Sequence, residues 1–193
     1  MSGNQSVSWG ERLRRFIDGT TTYRLMLYYL LVLFLAALIL GTLEMLPYAP
    51  AALMWSAAVL LVAGSCINKF LAWACKAVTN AESVYITVFI LALSLSPVSF
   101  TDVRGTLVLA LAAAIAMASK YLLAVKRKHI FNPAALALAV STLALGTPAA
   151  WWVAGNFALL PLVLLGGLVM VYKLRRFDLI LSFNYFSASK LRF

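Results

Sequence analysis

Residues 119–135 read Ser119-Lys-Tyr-Leu-Leu-Ala-Val-Lys-Arg-Lys-His-Ile-Phe-Asn-Pro-Ala-Ala135. An apolar run ends in a basic hinge, Lys126, Arg127, Lys128 and His129, and Asn132-Pro133 then opens a second apolar run at 134–145. Asn is a good helix cap, and Pro suits the first helical position because its missing N–H would be unpaired there anyway. The run that follows is shorter than the roughly 20 residues a helix needs to cross a bilayer core of about 30 Å. Within an apolar layer, a helix start is tolerated only where protein buries it or where it lines a cavity. The stretch therefore predicts a polytopic membrane protein and marks a place where that protein could hold a ligand.

The rest of the chain agrees on the solvent. Its 193 residues are 64% hydrophobic and 11% charged, against about 25% charged in a soluble domain, and the mean hydropathy is +0.94. The net charge of +10 sits at the ends of apolar blocks, where lysine and arginine fix topology and meet anionic headgroups. That placement argues against nucleic acid as a partner and for the lipid bilayer. Cys66 and Cys75 match neither a metal-ligand spacing nor a disulfide framework and read as small packing residues. Residues 1–23 are polar, with Glu11, Arg12, Arg14, Arg15 and Asp18, and lack the apolar core of a signal peptide.

Six apolar segments follow, at 25–40, 51–67, 84–98, 106–125, 134–145 and 151–172. With their flanks the second, fourth and sixth reach spanning length, whereas the third and fifth fall short. Basic residues recur on alternate sides: Arg12, Arg14, Arg15 and Arg24, then Lys69 and Lys76, then Lys120, Lys126, Arg127 and Lys128, then Lys173, Arg175, Arg176, Lys190 and Arg192. The opposite loops hold only Arg104. This asymmetry predicts six crossings with both termini cytosolic. The expected fold is all-α, a polytopic integral membrane protein of about six transmembrane segments with short or broken helices near its centre. The expected organisation is a cytosolic segment at 1–23, a transmembrane domain at 24–176 and a cytosolic or truncated tail at 177–193. Between the second and third segments, residues 70–76 either lie along the membrane surface or extend the second helix.

Two helix starts are candidate sites. At the hinge, Asn132 and Pro133 would point the positive end of a short helix at an anionic group, with Lys128 and His129 as phosphate or headgroup contacts. The same residues also suit a plain cap at the interface, with the cations snorkelling to lipid phosphate. At the third segment Asn80 or Ser83 can cap, and Glu82 in the first turn is either an ion-site carboxylate or a capping one. Lys120 would snorkel or pair with Glu82. His129, among three cations, does not suit a metal site. Gly166-Gly167 permits close helix packing or close approach to a ligand. No nucleophile–base constellation, nicotinamide-binding fingerprint or cluster ligand set is present, so no catalytic residue is assigned.

The hinge run, together with Asn80-Ala-Glu-Ser83 leading into Ile86-Thr87, Leu160-Pro161 before Gly166-Gly167, and Lys173-Leu-Arg-Arg-Phe-Asp178, resembles the membrane subunits of bacterial redox-driven ion pumps. These are the D component of the Rnf complex and the B component of the sodium-pumping NADH:quinone oxidoreductase. The resemblance implies inverted repeats with short, broken central helices and a flavin, riboflavin or FMN. It also implies electron transfer coupled to sodium or proton movement, and a separate cytosolic flavin or iron–sulfur reductase subunit as partner. Residues 145–156 contain Gly146-Thr-Pro-Ala149 in place of the family's flavinylation motif, so the expected flavin is non-covalent. The chain corresponds to the first half of such a subunit or somewhat more, which leads to the expectation of a truncated reading frame or a half-size member that pairs with a second copy. The site is expected between the starts of the third and fifth segments, bordered by Glu82, Asn132, Pro133, Lys128 and His129. A half transporter or channel for a small solute or ion is the other functional reading, and a non-functional fragment the third.

Overall fold

A computed structural model describes residues 9–77, 80–125, 128–129 and 131–174. The elements in order are α1 (Trp9–Gly19), α2 (Thr22–Thr42), α3 (Pro50–Ala74), α4 (Ala81–Ala92), α5 (Val103–Leu122), a two-residue antiparallel ribbon of β1 (Ala124–Val125) and β2 (Lys128–His129), α6 (Pro133–Leu145) and α7 (Leu160–Leu174). Residues that replace missing helical partners open most of the apolar helices. The side chain of Thr21 accepts from the Arg24 N–H at 3.4 Å, Asn80 from Glu82 at 3.0 Å, Asp102 from Gly105 at 2.9 Å and Asn132 from Ala134 at 3.0 Å. Pro50 and Pro133 occupy first helical positions. Gly146, at φ 64°, ends α6 in the left-handed region, and its N–H and that of Thr147 both turn back to the Ser141 carbonyl.

Three helices, α2, α3 and α5, are long and apolar enough to cross a membrane at 21, 25 and 20 residues. The expected short third and fifth segments are α4 and α6, of 12 and 13 residues, or about 18–20 Å at 1.5 Å per residue. The sixth segment corrects the sequence reading. Residues 151–159 form turns, and α7 begins only at Leu160, leaving 15 residues. Trp151 and Trp152 thus precede the helix by a full irregular stretch and do not open it. Residues 70–74 extend α3 rather than lying along a surface, and Asn80, not Ser83, caps α4.

The helices from α2 to α7 pack with α4 at their centre. It packs against α2, α3, α5 and α6, which explains why its sequence is apolar all round and not on one stripe. One buried cluster joins Leu60, Val84, Val88, Leu91, Ala112, Ala116, Met117, Ala134 and Ala137. A second joins Leu30, Leu33, Phe34, Leu53, Phe89 and Leu93, with Val153 and Leu159 from the irregular stretch. Small residues let the backbones approach: a Cβ on Gly64 would meet Val88 Cγ2 at 2.9 Å, and one on Gly166 would collide with the Tyr29 ring. Where α4 stops short, residues 93–95 continue inward as buried irregular backbone. That backbone is satisfied by a bridge from Leu95 to Ala149 and by the Ala150 N–H donating to the Ser94 carbonyl at 3.1 Å. Outward faces carry exposed Val32, Leu35, Ile39, Val62, Leu107, Leu111, Leu164 and Leu168, an apolar coat that lipid tolerates and water does not.

Candidate functional site: a polar tier at the starts of the half-length helices

Five polar side chains gather where α3 and α5 approach the hinge and α4 begins. Lys120, only 8% exposed, donates from Nζ to the Ser83 carbonyl at 2.9 Å and to Ser83 Oγ at 3.3 Å. The same carbonyl accepts from Thr87 Oγ1 at 2.8 Å. Next along α5, the Tyr121 hydroxyl donates to Asn68 Oδ1 at 2.9 Å, and Asn68 is itself buried. Among the described residues no carboxylate reaches Lys120; the acid of this region, Glu82, is bound 2.7 Å from Nε of Arg24 on α2. Of the two expectations for Lys120, snorkelling or pairing with Glu82, the pairing does not form: Lys120 meets Ser83 and Glu82 meets Arg24. The reason is reach: Glu82, one residue earlier in the first turn of α4, faces α2, whereas Ser83 faces α5.

Depth follows from helix geometry. At the opposite end a second polar tier joins Trp55 Nε1 to Thr106 Oγ1 at 3.1 Å and the Val98 N–H to Ser56 Oγ at 2.9 Å. The rise from Ser56 to Asn68 along α3 is about 18 Å, and from Thr106 to Tyr121 along α5 about 22 Å. A hydrocarbon core of about 30 Å exceeds both spans, so in a bilayer the tiers cannot both lie at the headgroups. Polar groups at such depth have to be satisfied by protein, and the hydrogen bonds above do that for the backbone and the amine.

Of the sequence-derived site residues, Asn132 caps α6 and Pro133 sits half-buried in its first turn. Lys128 and His129 form β2, where His129 pairs with Ala124 and Lys128 with Val125 through the backbone. Their side chains, together with Lys126 and Arg127, lie outside the described residues. Glu82 opens α4 but points to Arg24. The two helix starts belong to one body, since Val84 of α4 and Ala134 of α6 share a buried cluster. Sequence reasoning missed the coupling of Asn68 to Tyr121 and of Ser83 to Lys120. The available signal was a lone Asn68 just past the second segment and a lone Lys120 inside the fourth.

This arrangement presents a buried cation beside the positive end of one short helix, next to the Asn-Pro start of another. Such a place favours an anionic group over a metal ion, and among the described residues no group of His, Cys, Asp and Glu could hold a metal. The fold and the tier define an all-α protein with three helices able to cross a membrane and a lipid bilayer as its environment. Comparison of the chain with known protein families, with curated proteins and with solved structures finds no match.

Proposed function

We propose that the chain is a six-span membrane subunit of a redox-driven electron-transport complex, holding an anionic flavin at the hinge-end tier. The observation that carries the reading is Lys120: a buried amine with no carboxylate partner among the described residues, bound to the first turn of half-length α4. The donor set fits the phosphate of FMN better than uncharged riboflavin, because a cation and two helix starts converge there. Lys120 and the α6 start with Asn132 and Pro133 would hold the phosphate, with Lys128 and His129 from the adjoining ribbon. When bound, the flavin supplies the electron chemistry, and the protein supplies position and electrostatics. Arg24 keeps Glu82 from competing with the anion.

The basic residues described at the hinge end, Arg12, Arg15, Arg24, Lys69, Lys76 and Lys173, against Arg104 at the other, support a cytosolic hinge end in a bacterial inner membrane. A separate cytosolic reductase subunit would then meet that face, and sodium or proton movement would be coupled through the bundle. One observation also favours the transporter reading: α4 and α6 run side by side from the same end, with irregular backbone beyond both, as in carriers built on broken helices.

The test is an absorbance spectrum of the detergent-purified protein, followed by acid precipitation. Two visible flavin bands, with the chromophore released into the supernatant, are expected. A colourless protein that is well folded turns the assignment toward solute transport, and colour retained in the pellet would mean a covalent link.

A further inference from the structure

Lys69 is the only charged residue of α3, a helix of 25 residues. At about 100° per residue, Trp55, Ala58, Val62, Cys66, Lys69 and Trp73 fall on one exposed arc, away from buried Leu53, Leu60, Gly64 and Asn68. The arc belongs to the apolar coat that faces lipid, so this cation is turned toward lipid and not into the bundle. Trp73, one turn after Lys69, is 77% exposed, and Phe70 beside it is 62% exposed, with ring centroids 6.2 Å apart. Lys76 is exposed just past the helix, where its N–H turns back to the Trp73 carbonyl at 3.2 Å.

Depth makes this cation informative. Trp settles at the headgroup boundary because its ring is apolar and its N–H is not. With the Trp73 ring at that level, Lys69 starts four residues lower, about 6 Å toward the hydrocarbon. A lysine stem can carry its amine back up to the headgroups, and an amine there needs an anion. Among the described residues no carboxylate bonds Lys69 or Lys76. Of the acids at this end, Glu82 is held by Arg24, and Glu11 and Asp18 lie on α1. That helix is fixed to α2 and α7 instead: Phe16 stacks on Tyr28 with centroids 6.5 Å apart, and Lys173 Nζ donates to the carbonyls of Ile17 at 2.6 Å and Asp18 at 3.1 Å. The anion left to the α3 face is a lipid phosphate.

We infer that the hinge end of α3 seats one anionic phospholipid. Its phosphate lies on Lys69, its headgroup beside Trp73 and Lys76, and its acyl chains along Cys66 and Val62. Two lysines with no carboxylate bonded to either favour a headgroup of net negative charge over a zwitterionic one. The inference needs the bilayer as solvent and is independent of what the hinge-end tier binds.

The experiment uses the full chain with Cys75→Ser and a bimane fluorophore on Cys66, reconstituted in phosphatidylcholine vesicles. Phosphatidylglycerol or phosphatidylcholine with brominated acyl chains is added at a low, matched mole fraction, and quenching of the fluorophore is compared. Brominated phosphatidylglycerol should bind about fivefold more tightly at this position, and Lys69→Gln should bring the two lipids level. The same label on exposed Leu35→Cys of α2, with Cys66→Ser and Cys75→Ser, should show no preference. Equal quenching by the two lipids at Cys66 would overturn the inference. So would an equal preference at position 35, which would mean attraction by the net charge of the whole chain. Quenching by neither lipid would mean that protein, such as a second copy, covers the face, and would overturn it too. A preference that survives Lys69→Gln would take the phosphate off Lys69 and overturn the seat.

Discussion

Lys120 sets the chemistry at the scale of single residues. A buried cation whose amine is held by the Ser83 carbonyl and hydroxyl is costly to desolvate, and replacing it with an apolar side chain of similar length relieves that cost. Lys120→Met is therefore expected to leave thermal stability in detergent unchanged or slightly raised while abolishing retention of the anionic ligand. A variant that stays yellow would show that the ligand lies elsewhere. Ser83→Ala removes the longer of the two contacts and keeps the backbone one, so it should cost only about 0.5–1.5 kcal/mol and retain the ligand. Arg24 and Glu82 are partly solvated, at 60% and 32% exposure. A double-mutant cycle with Arg24→Gln and Glu82→Gln should return only a weak coupling that fades further at high salt. The Glu82 carboxylate was visible as a first-turn residue in the sequence, but its partner lies 58 positions away, and no local pattern names it.

For whole helices, caps and close approaches carry the stability. Asn132 caps α6 with one side-chain hydrogen bond. Asn132→Leu is expected to cost about 1 kcal/mol and to release the ligand from the proposed site without preventing membrane insertion. A chromophore that survives this change would reduce the Asn-Pro start to a helix cap. The two adjacent glycines of α7 separate packing from permissiveness. Space for a side chain at Gly166 is taken by the Tyr29 ring, which also donates to the Val163 carbonyl at 3.2 Å, whereas Gly167 has nothing within 4 Å. Gly166→Val should loosen α7 from α2 and lower the melting temperature, at about 1–3 kcal/mol; Gly167→Val should be nearly silent. Equal effects from the two would mean that flexibility of the pair, not the contact with Tyr29, is what matters.

The whole molecule is organised around a helix too short to cross a membrane. With α4 as its axis, the bundle must fill the remaining depth with irregular backbone, and it does so by bridging residues 94–95 to residues 149–150. Topology is the property to measure here. Single cysteines at Lys76 and at Arg104, on a background lacking Cys66 and Cys75, should react with an impermeant thiol reagent from opposite faces, with position 76 accessible from the cytosol. Reaction of both from one face would leave fewer crossings than the six proposed.

The sequence by itself determined the solvent, the places where helices begin and the shortness of α4 and α6. Apolar length, Asn caps and prolines act within a few residues and need no partner. It misplaced the start of α7. Residues 151–159 are mostly apolar, but Gly155-Asn156 breaks them, with the Asn156 side chain accepting from the Ala158 N–H. Val153 and Leu159 pack into the core beside α2 and α4. Tertiary structure decided which polar groups meet: Lys120 with Ser83 instead of Glu82, Tyr121 with Asn68, and Lys173 with the end of α1. Those pairings depend on how helices far apart in the chain are rotated against one another, and inside a bilayer that rotation is set by close packing and by satisfaction of buried polar groups, not by local propensity.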